Sequence, residues 1–257
     1  MPWVDARSVF ISDLHLGWNC SRPGQILEIL RRISPNWLYL VGDTFEWLQG
    51  RFGWEHPDTQ SLLESLTALD RRGCEIRILS GNHDFQLLDL RDPLPWPVVS
   101  HAIHTTASGK RLLVVHGDIF DCSQSSEPSL TRELGGRFYP ALVKMGHAVQ
   151  EVIPASSRNE THEPTVPWST RWKMRSRRVF HHVAMFERFM AELATSHGCH
   201  GVVCGHIHVP SRKRIGGVDY FNCGDWVENQ SCILESRCGS MHLLSSVSNL
   251  EAMRRTA

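Results

Sequence analysis

The sequence predicts an α/β fold, and two kinds of pattern indicate it. Short apolar runs of strand length end in polar or glycine-rich turns at 9–11, 38–41, 76–79, 112–115 and 202–204. Such near-continuous apolar runs are typical of strands that are buried on both faces. Helical patterns separate several of these runs: Leu62, Leu66 and Leu69 follow one another at spacings of four and three, which places them on one helix face. Alternating strands and helices favour an α/β architecture.

The remaining segments complete the predicted organisation. A second helical pattern covers about 179–196, and short strands at 220–222 and 232–234 predict a β-rich ending. The stretch from about 120 to 178 lacks strand alternation and contains Pro128, Pro140, Pro154, Pro164 and Pro167. We therefore expect a single domain over 1–257, with a cap segment inserted at about 120–178.

Composition excludes several classes of protein. The chain has 257 residues, of which 41% are hydrophobic and 21% charged, as in soluble globular proteins. Lys+Arg and Asp+Glu are both 27, so bulk charge predicts no long nucleic acid as partner. No apolar run approaches the roughly 20 residues that span a bilayer, and no signal-peptide pattern precedes the first strand. A cytoplasmic location is expected, with a peripheral membrane contact left open. The eight scattered cysteines are expected to be reduced.

Potential metal ligands follow every one of the five predicted strands. Ligands bind beyond the carboxyl ends of strands in open α/β sheets, and the residues found there are Asp13, His15, Asp43, Asn82, His116, His206 and His208. The period-two spacing within the first and last pairs lets both side chains of a pair point the same way. Oxygen and imidazole donors without thiolate suit Mn²⁺, Fe²⁺ or Zn²⁺. Seven further histidines are expected to be ordinary polar residues: His101, His104, His147, His162, His181, His182 and His197.

The order of these motifs resembles that of the calcineurin-like metallophosphoesterase superfamily. The motifs are Asp13-x-His15, Gly42-Asp43, Gly81-Asn82-His83-Asp84, His116-Gly117-Asp118 and Gly205-His206-x-His208. The resemblance implies a four-layer α/β/β/α sandwich with two divalent metal ions, for which Mn²⁺ is preferred. It also implies that Asp13, His15 and His208 hold one ion, that Asn82, His116 and His206 hold the other, and that Asp43 bridges them.

The resemblance also implies roles for residues beside the ligands. His83 would stabilise phosphoryl charge or protonate the leaving oxygen, and Asp84 would orient its ring. Asp84 is equally suited to cap a helix that begins at Phe85. Many members of the superfamily have Asp where this chain has Glu46, which is either a carboxylate close behind the ligands or a surface residue. The sequence does not choose between the two roles of Asp84 or between the two positions of Glu46.

Two further motifs indicate a substrate class. Residues 42–47 and 222–228 resemble the branch that contains UDP-2,3-diacylglucosamine hydrolases, which implies hydrolysis of a pyrophosphate in a nucleotide-linked lipid. A basic cluster could grip such an anionic substrate or a membrane surface, or could be a solvated helix start; it comprises Arg171, Lys173, Arg175, Arg177 and Arg178. The alternatives are a nuclease or cyclic-nucleotide phosphodiesterase on the same fold, and a non-catalytic metal-binding scaffold. The sequence predicts no oligomeric state.

Overall fold

The computed structural model describes residues 6–17, 21, 23–48, 51–52, 54–90, 94–124 and 168–245. Its chain forms two compact units. The first comprises Met1–Asp118 with Ala191–Ala257, and the second is Ile119–Met190. The first unit contains both large sheets.

The first sheet has six strands, and its central strands are parallel. They are β1 (Ala6–Ile11), β2 (Trp37–Val41), β5 (Glu75–Leu79), β6 (Val98–Val99), β12 (Ser231–Ser236) and β13 (Met241–Ser245). The strand order is β13-β12-β1-β2-β5-β6, with β12 antiparallel to β1 and to β13. Parallel pairing of β1, β2 and β5 brings the carboxyl ends of three predicted strands to one edge.

The second sheet has five strands and carries the other two predicted strand ends. Its strands are β7 (His101–Thr105), β8 (Arg111–Val115), β9 (Gly201–Cys204), β10 (Ser211–Ile215) and β11 (Val218–Asn222). Their order is β10-β11-β9-β8-β7, and β8, β9 and β11 are parallel. A small hairpin pairs β3 (Trp47–Leu48) with β4 (Arg51–Phe52). The strands predicted at the five apolar runs and in the β-rich ending are therefore confirmed.

Helices connect and flank these strands. The described helices are α1 (Pro23–Arg32), α2 (Pro57–Asp70), α3 (Ile119–Gln124) and α4 (Trp168–Ser196), with a 3₁₀ helix over Phe85–Leu88. Both predicted helices occur, although α4 begins well before residue 179. Two sheets flanked by helices confirm the predicted α/β class. The described helices include none that is long and apolar enough to cross a membrane.

Alternating side chains on the strands divide the core of the first unit in two. Val9 and Ile11 pack in the cluster that contains the buried leucines of α1 and α2, including Leu30 and Leu66. Phe10, between them on β1, packs instead with residues of the second sheet such as Val114. Because side chains alternate across a strand, the same apolar run contacts helices on one face and the other sheet on the other.

A buried ionic network joins the two sheets near the start of β1. Glu235 is fully buried and accepts hydrogen bonds from the Ser8 hydroxyl (2.6 Å) and the Arg7 guanidinium (2.9 Å). Nε2 of His104, on β7, lies 2.8 Å from the same carboxylate, and its Nδ1 lies 3.1 Å from the Tyr39 hydroxyl. His104 is expected from the sequence to be an ordinary polar residue, and it belongs to this structural hydrogen-bond network.

The cysteines and the cap segment complete the comparison with the sequence. Six cysteines among the described residues are free thiols, and five of these six are buried. Most of the predicted cap segment, residues 125–167, lies outside the described residues. A single domain with an inserted cap remains a proposal.

Candidate metal centre

The loops that follow five strands bring the predicted ligands together. In the first sheet, β1 leads to Asp13 and His15, β2 to Asp43, and β5 to Asn82. In the second sheet, β8 leads to His116, and β9 leads to His206 and His208. The prospective site is therefore built from both sheets.

Donor atoms from these loops form three compact groups. Within each group the candidate ligand atoms lie within 4.8 Å of one another. The groups are Asp13, His15 and His208; His15, Asp43 and His83; and Asp13, Asp43 and His116. Asp13, His15 and Asp43 each belong to two of the groups, and the first group is the predicted ligand set of one ion.

The second predicted ligand set is also brought together, by other contacts. Nδ1 of His206 lies 3.1 Å from Oδ1 of Asn82, and the rings of His206 and His116 have centroids 5.2 Å apart. In the compact groups of the described residues, however, His116 is joined by Asp13 and Asp43 rather than by His206.

The backbone at the ligands adopts a conformation that side chains other than glycine rarely take. Among the described residues with a positive φ that are not glycine, all but Gln230 are predicted ligands: Asp13 (55°), His15 (47°), Asp43 (50°), His206 (71°) and His208 (54°). Each such residue costs of order 1–3 kcal/mol, and such residues cluster at functional sites. The strain therefore marks the same residues as the sequence motifs.

Two glycines make room for the ligands. Gly42 has a φ of 80°, and a Cβ there would collide with the ring of His116. A Cβ at Gly81 would collide with the Asp43 carboxylate. The glycines that precede Asp43 and Asn82 are thus required by close packing of the ligand side chains.

Polar atoms at the centre of the site fit a cation. The buried Oδ1 of Asp13 and Nε2 of His116 have no partner with hydrogen-bond geometry in the described part of the chain. They lie 3.1 Å from Nε2 of His208 and 3.2 Å from Oδ2 of Asp43, respectively. Buried polar atoms without partners are costly, and carboxylate and imidazole donors suit a divalent transition metal. These residues therefore fit the implied metal ions.

The other atoms of the ligands are held by neighbours. Nδ1 of His116 donates to the carbonyl oxygen of Val41 at 2.9 Å, which leaves Nε2 facing the centre. The Ser12 hydroxyl and the backbone N–H of His206 both donate to Oδ2 of Asp13, which leaves Oδ1 for a cation. Such contacts fix the orientation of ligands before any metal binds.

Charge at the centre is strongly coupled. Burial alone would raise the pKa of Asp43, but the charge of His116 beside it and the backbone N–H of His83 hold it well below its usual range. Burial opposes protonation of His116, yet the negative charges of Asp43 and Asp13 raise its pKa well above its usual value. A positive charge beside the buried carboxylates is therefore favourable.

Glu46 contacts two functional rings at once. Its side chain is only 12% exposed. Oε2 lies 3.0 Å from Nδ1 of His15, and Oε1 lies 2.7 Å from Nδ1 of His83. Of the two alternatives for Glu46, the structure places it behind the ligands. The other ring nitrogen, Nε2, lies 3.8 Å from Oδ1 of Asp13 in His15 and 4.0 Å from Oδ2 of Asp43 in His83.

Asp84 precedes the 3₁₀ helix, and its side chain bonds to the backbone of two loops. Its carboxylate is fully buried and accepts hydrogen bonds from the backbone N–H groups of Gly81 (2.6 Å), Thr44 (2.8 Å) and Phe45 (3.2 Å). It makes no side-chain cap for the 3₁₀ helix that follows. Asp84 thus stands at the cap position without a side-chain cap, and its carboxylate ties the loop after β2 to the loop after β5. The described hydrogen bond to the ring of His83 comes from Glu46, and the orienting role of Asp84 stays a prediction.

Sequence reasoning missed the residues that support the last ligand loop. Nδ2 of Asn222 donates to the carbonyl oxygen of Gly205 at 2.8 Å, and Nδ2 of Asn229 donates to that of His208 at 2.9 Å. Asn222 belongs to the 222–228 motif, so that motif is a sequence signal for the support of this loop, and Asn229 lies just beyond it. The predicted basic cluster, Arg171, Lys173, Arg175, Arg177 and Arg178, lies in α4, and its side chains lie outside the described residues.

Two curated proteins are similar to part of the chain. One, from Blochmanniella pennsylvanica (strain BPEN), is 32% identical over 136 residues, which are 49% of this chain and 51% of that protein. The other, from Aeromonas salmonicida (strain A449), is 31% identical over 119 residues, 44% of this chain and 45% of that protein. Both are named UDP-2,3-diacylglucosamine hydrolase. The chain spans about half the length of these curated relatives.

Solved structures and a family model extend over more of the chain. An archaeal phosphodiesterase has a TM-score of 0.46 at 10% identity and covers 93% of this chain and 98% of its own. The phosphoesterase YfcE from E. coli has a TM-score of 0.44 at 14% identity, with the same coverage of 93% and 98%. The model of the calcineurin-like phosphoesterases matches residues 6–210, which include every candidate ligand, and the chain therefore belongs to the calcineurin-like phosphoesterase family.

Proposed function

We propose that this chain is a dinuclear-metal phosphoesterase that hydrolyses a phosphodiester or pyrophosphate bond. The observation that carries the proposal is the convergence of candidate ligand atoms within 4.8 Å in overlapping groups, with Asp13, His15 and Asp43 each shared by two of them. Asp13, His15 and His208 would hold one ion, Asn82, His116 and His206 the other, and Asp43 both. When bound, two divalent ions lower the pKa of a water molecule and neutralise phosphoryl charge. Mn²⁺ is the proposed metal, with Fe²⁺ or Zn²⁺ as alternatives.

The side chains of the protein supply the proton chemistry. His83 is 42% exposed, and Glu46 holds its Nδ1. Its Nε2 is therefore the atom that faces substrate and donates a proton to the leaving oxygen. Asp43 accepts a hydrogen bond from the backbone N–H of His83 at 2.8 Å, which fixes the loop of the proton donor relative to the bridging carboxylate.

The proposed substrate is a nucleotide-linked lipid of the UDP-2,3-diacylglucosamine type. Its support comes from the names of the two curated relatives and from the motifs at 42–47 and 222–228. A cytoplasmic location, with contact to the inner face of a membrane, is part of the same proposal. So is contact of the basic cluster with an anionic substrate.

A substrate panel tests the proposal. Purified protein that was treated with chelator and reloaded with Mn²⁺ is assayed on UDP-2,3-diacylglucosamine, bis-p-nitrophenyl phosphate, cyclic nucleotides and single-stranded DNA. We expect release of UMP from the first, no turnover after chelation, and a loss of about 10²-fold or more in Asp43→Asn. Faster cleavage of cyclic nucleotide or DNA would favour the alternative enzymes. No turnover by metal-loaded protein on any phosphoester would favour a scaffold.

The basic cluster has a separate test. Charge reversal of its five residues is compared with the unchanged protein on UDP-2,3-diacylglucosamine and on p-nitrophenyl phosphate. We expect KM to rise for the large diphosphate alone, because the small ester does not extend to a cap. Unchanged kinetics on both substrates would contradict a role in binding.

A further inference from the structure

The loop 225–229, between β11 and β12, contacts the backbone of two candidate ligands. Nδ2 of Asn229 donates to the carbonyl oxygen of His208 (2.9 Å), and the backbone N–H of Trp226 donates to that of Asp13 (3.1 Å). Asp13 and His208 belong to the same donor group, and Nε2 of His208 lies 3.1 Å from Oδ1 of Asp13. One loop thus holds the backbones of two candidate ligands of the same ion.

The amide of Asn229 is itself held in place. Asp225 is fully buried, and its Oδ1 accepts the backbone N–H groups of Val227 (2.8 Å), Glu228 (2.5 Å) and Asn229 (3.3 Å). Its Oδ2 accepts a hydrogen bond from Nδ2 of Asn229. Because a charged acceptor makes stronger hydrogen bonds than a neutral one, the carboxylate fixes both the loop and the direction of the amide.

His208 needs such support more than a regular residue does. Its φ is 54°, and its side chain is 37% exposed. A left-handed conformation at a non-glycine residue persists only where neighbouring groups hold it. The described side-chain contacts of Asn229 are with His208 and Asp225, and neither residue belongs to the ligand set Asn82, His116 and His206.

We propose that Asn229, oriented by Asp225, is a positioning residue for one of the two metal sites. It sets the affinity of the site formed by Asp13, His15 and His208, and it leaves the other site unchanged. The inference rests on the proposed dinuclear function, since it concerns the affinity of one of the two ions.

Calorimetric titration of the metal-free full chain with Mn²⁺ tests this inference. The unchanged protein binds two ions. In Asn229→Ala, one ion binds about ten-fold more weakly, the size of effect usual for residues that orient ligands, and the other binds as before. Glu228→Ala is the matched control, because this exposed neighbour contributes only its backbone to the loop, and both its affinities are unchanged.

Double variants assign the effect to a site. In an Asn82→Ala background, Asn229→Ala weakens the remaining ion. In a His208→Ala background it has no further effect, since the ligand that it positions is already lost. Asn229→Leu, which keeps the volume but lacks the donor, behaves like Asn229→Ala.

Four outcomes would overturn the inference. Equal weakening of both ions, or an effect that persists without His208, would show that Asn229 does not act on one site, while the proposed function would stand. A lower unfolding midpoint of the metal-free protein in both Asn229 variants would indicate a structural role instead. Failure of the unchanged protein to bind any Mn²⁺ would overturn the dinuclear function and this inference with it.

Discussion

Nδ1 of His83 lies 2.7 Å from Oε1 of Glu46, in a hydrogen bond in which the ring donates because an ionised carboxylate only accepts. The second oxygen of this carboxylate contacts His15, and the rings of His15 and His83 meet edge to face with centroids 4.8 Å apart. A candidate ligand and the proposed proton donor therefore share one acceptor, and a change at Glu46 reaches both.

Replacement of Glu46 should lower kcat more than it changes KM. Without the carboxylate, both rings lose a contact at Nδ1 that orients them, and loss of such contacts typically costs 10–100-fold. We expect kcat to fall about 100-fold in Glu46→Ala and about ten-fold in Glu46→Gln, measured on bis-p-nitrophenyl phosphate. Glu55→Gln, the same substitution at an exposed position, is the control. A kcat within two-fold of the unchanged protein in Glu46→Ala would contradict the orienting role.

Replacement of His83 should affect poor leaving groups most. A proton donor matters little when the leaving oxygen is already a stable anion. In His83→Ala we expect a loss of about 10³-fold on an alkyl phosphodiester and a loss about ten-fold smaller on a p-nitrophenyl ester, with Mn²⁺ stoichiometry unchanged. Steady-state kinetics on the two esters measures the ratio. Equal losses on both would mean that His83 stabilises phosphoryl charge and does not donate the proton.

Asp84→Asn should destabilise the fold as well as the site. The carboxylate accepts three backbone N–H groups from two loops, and an amide nitrogen in its place would leave at least one of these donors without an acceptor. Burial and the charge of Asp43 raise the pKa of Asp84 to about 7, so above that pH the substitution removes hydrogen bonds to a buried charge, which costs about 2 kcal/mol. Urea unfolding of the metal-free protein measures this loss, with Asp89→Asn, which is exposed, as the control. Unchanged stability with lost activity would instead support a direct catalytic role.

Glu235 should make stability depend on acid pH. Burial alone would raise its pKa, but hydrogen bonds from His104, Ser8 and the backbone N–H of Ala107 lower it from 4.5 to about 2. A depressed pKa contributes stability above pH 4.5 that is lost as pH falls towards 2. At pH 7, Glu235→Gln should be about 3 kcal/mol less stable, because it removes one partner of a buried ion pair.

The pH profile separates this network from other titrating groups. The stability difference between the unchanged protein and Glu235→Gln should shrink as pH falls from 4.5 to 2, as measured by urea unfolding at each pH. Glu75→Gln, on an exposed strand position, should show no such difference. A constant difference over this range would mean that the charge of Glu235 contributes nothing.

The sequence by itself determined the secondary structure around the site and the set of candidate ligands. Runs such as 38–41 are apolar at every position because both faces of the strand are buried, and polar residues can follow only where such a strand leaves the core. The motif order then indicated the family, which the match over residues 6–210 shows. These signals are local, so one short stretch of chain carries each of them.

Only the tertiary structure decided how separate stretches meet. β8 and β9 pair in a second sheet, which packs against the first. That packing brings His206 beside Asp13, after β1, and His116 beside Asp43, after β2. The sequence left Glu46 between two alternatives, because a carboxylate has the same local pattern beside a histidine ring as at the surface. Three sets of contacts join residues from different loops. They are the contacts of Glu46 with His15 and His83, the hydrogen bonds from the backbone of Thr44 and Phe45 to Asp84, and the hydrogen bond from Asn229 to His208. Contacts of this kind form only once the sheets have fixed the strand ends in space.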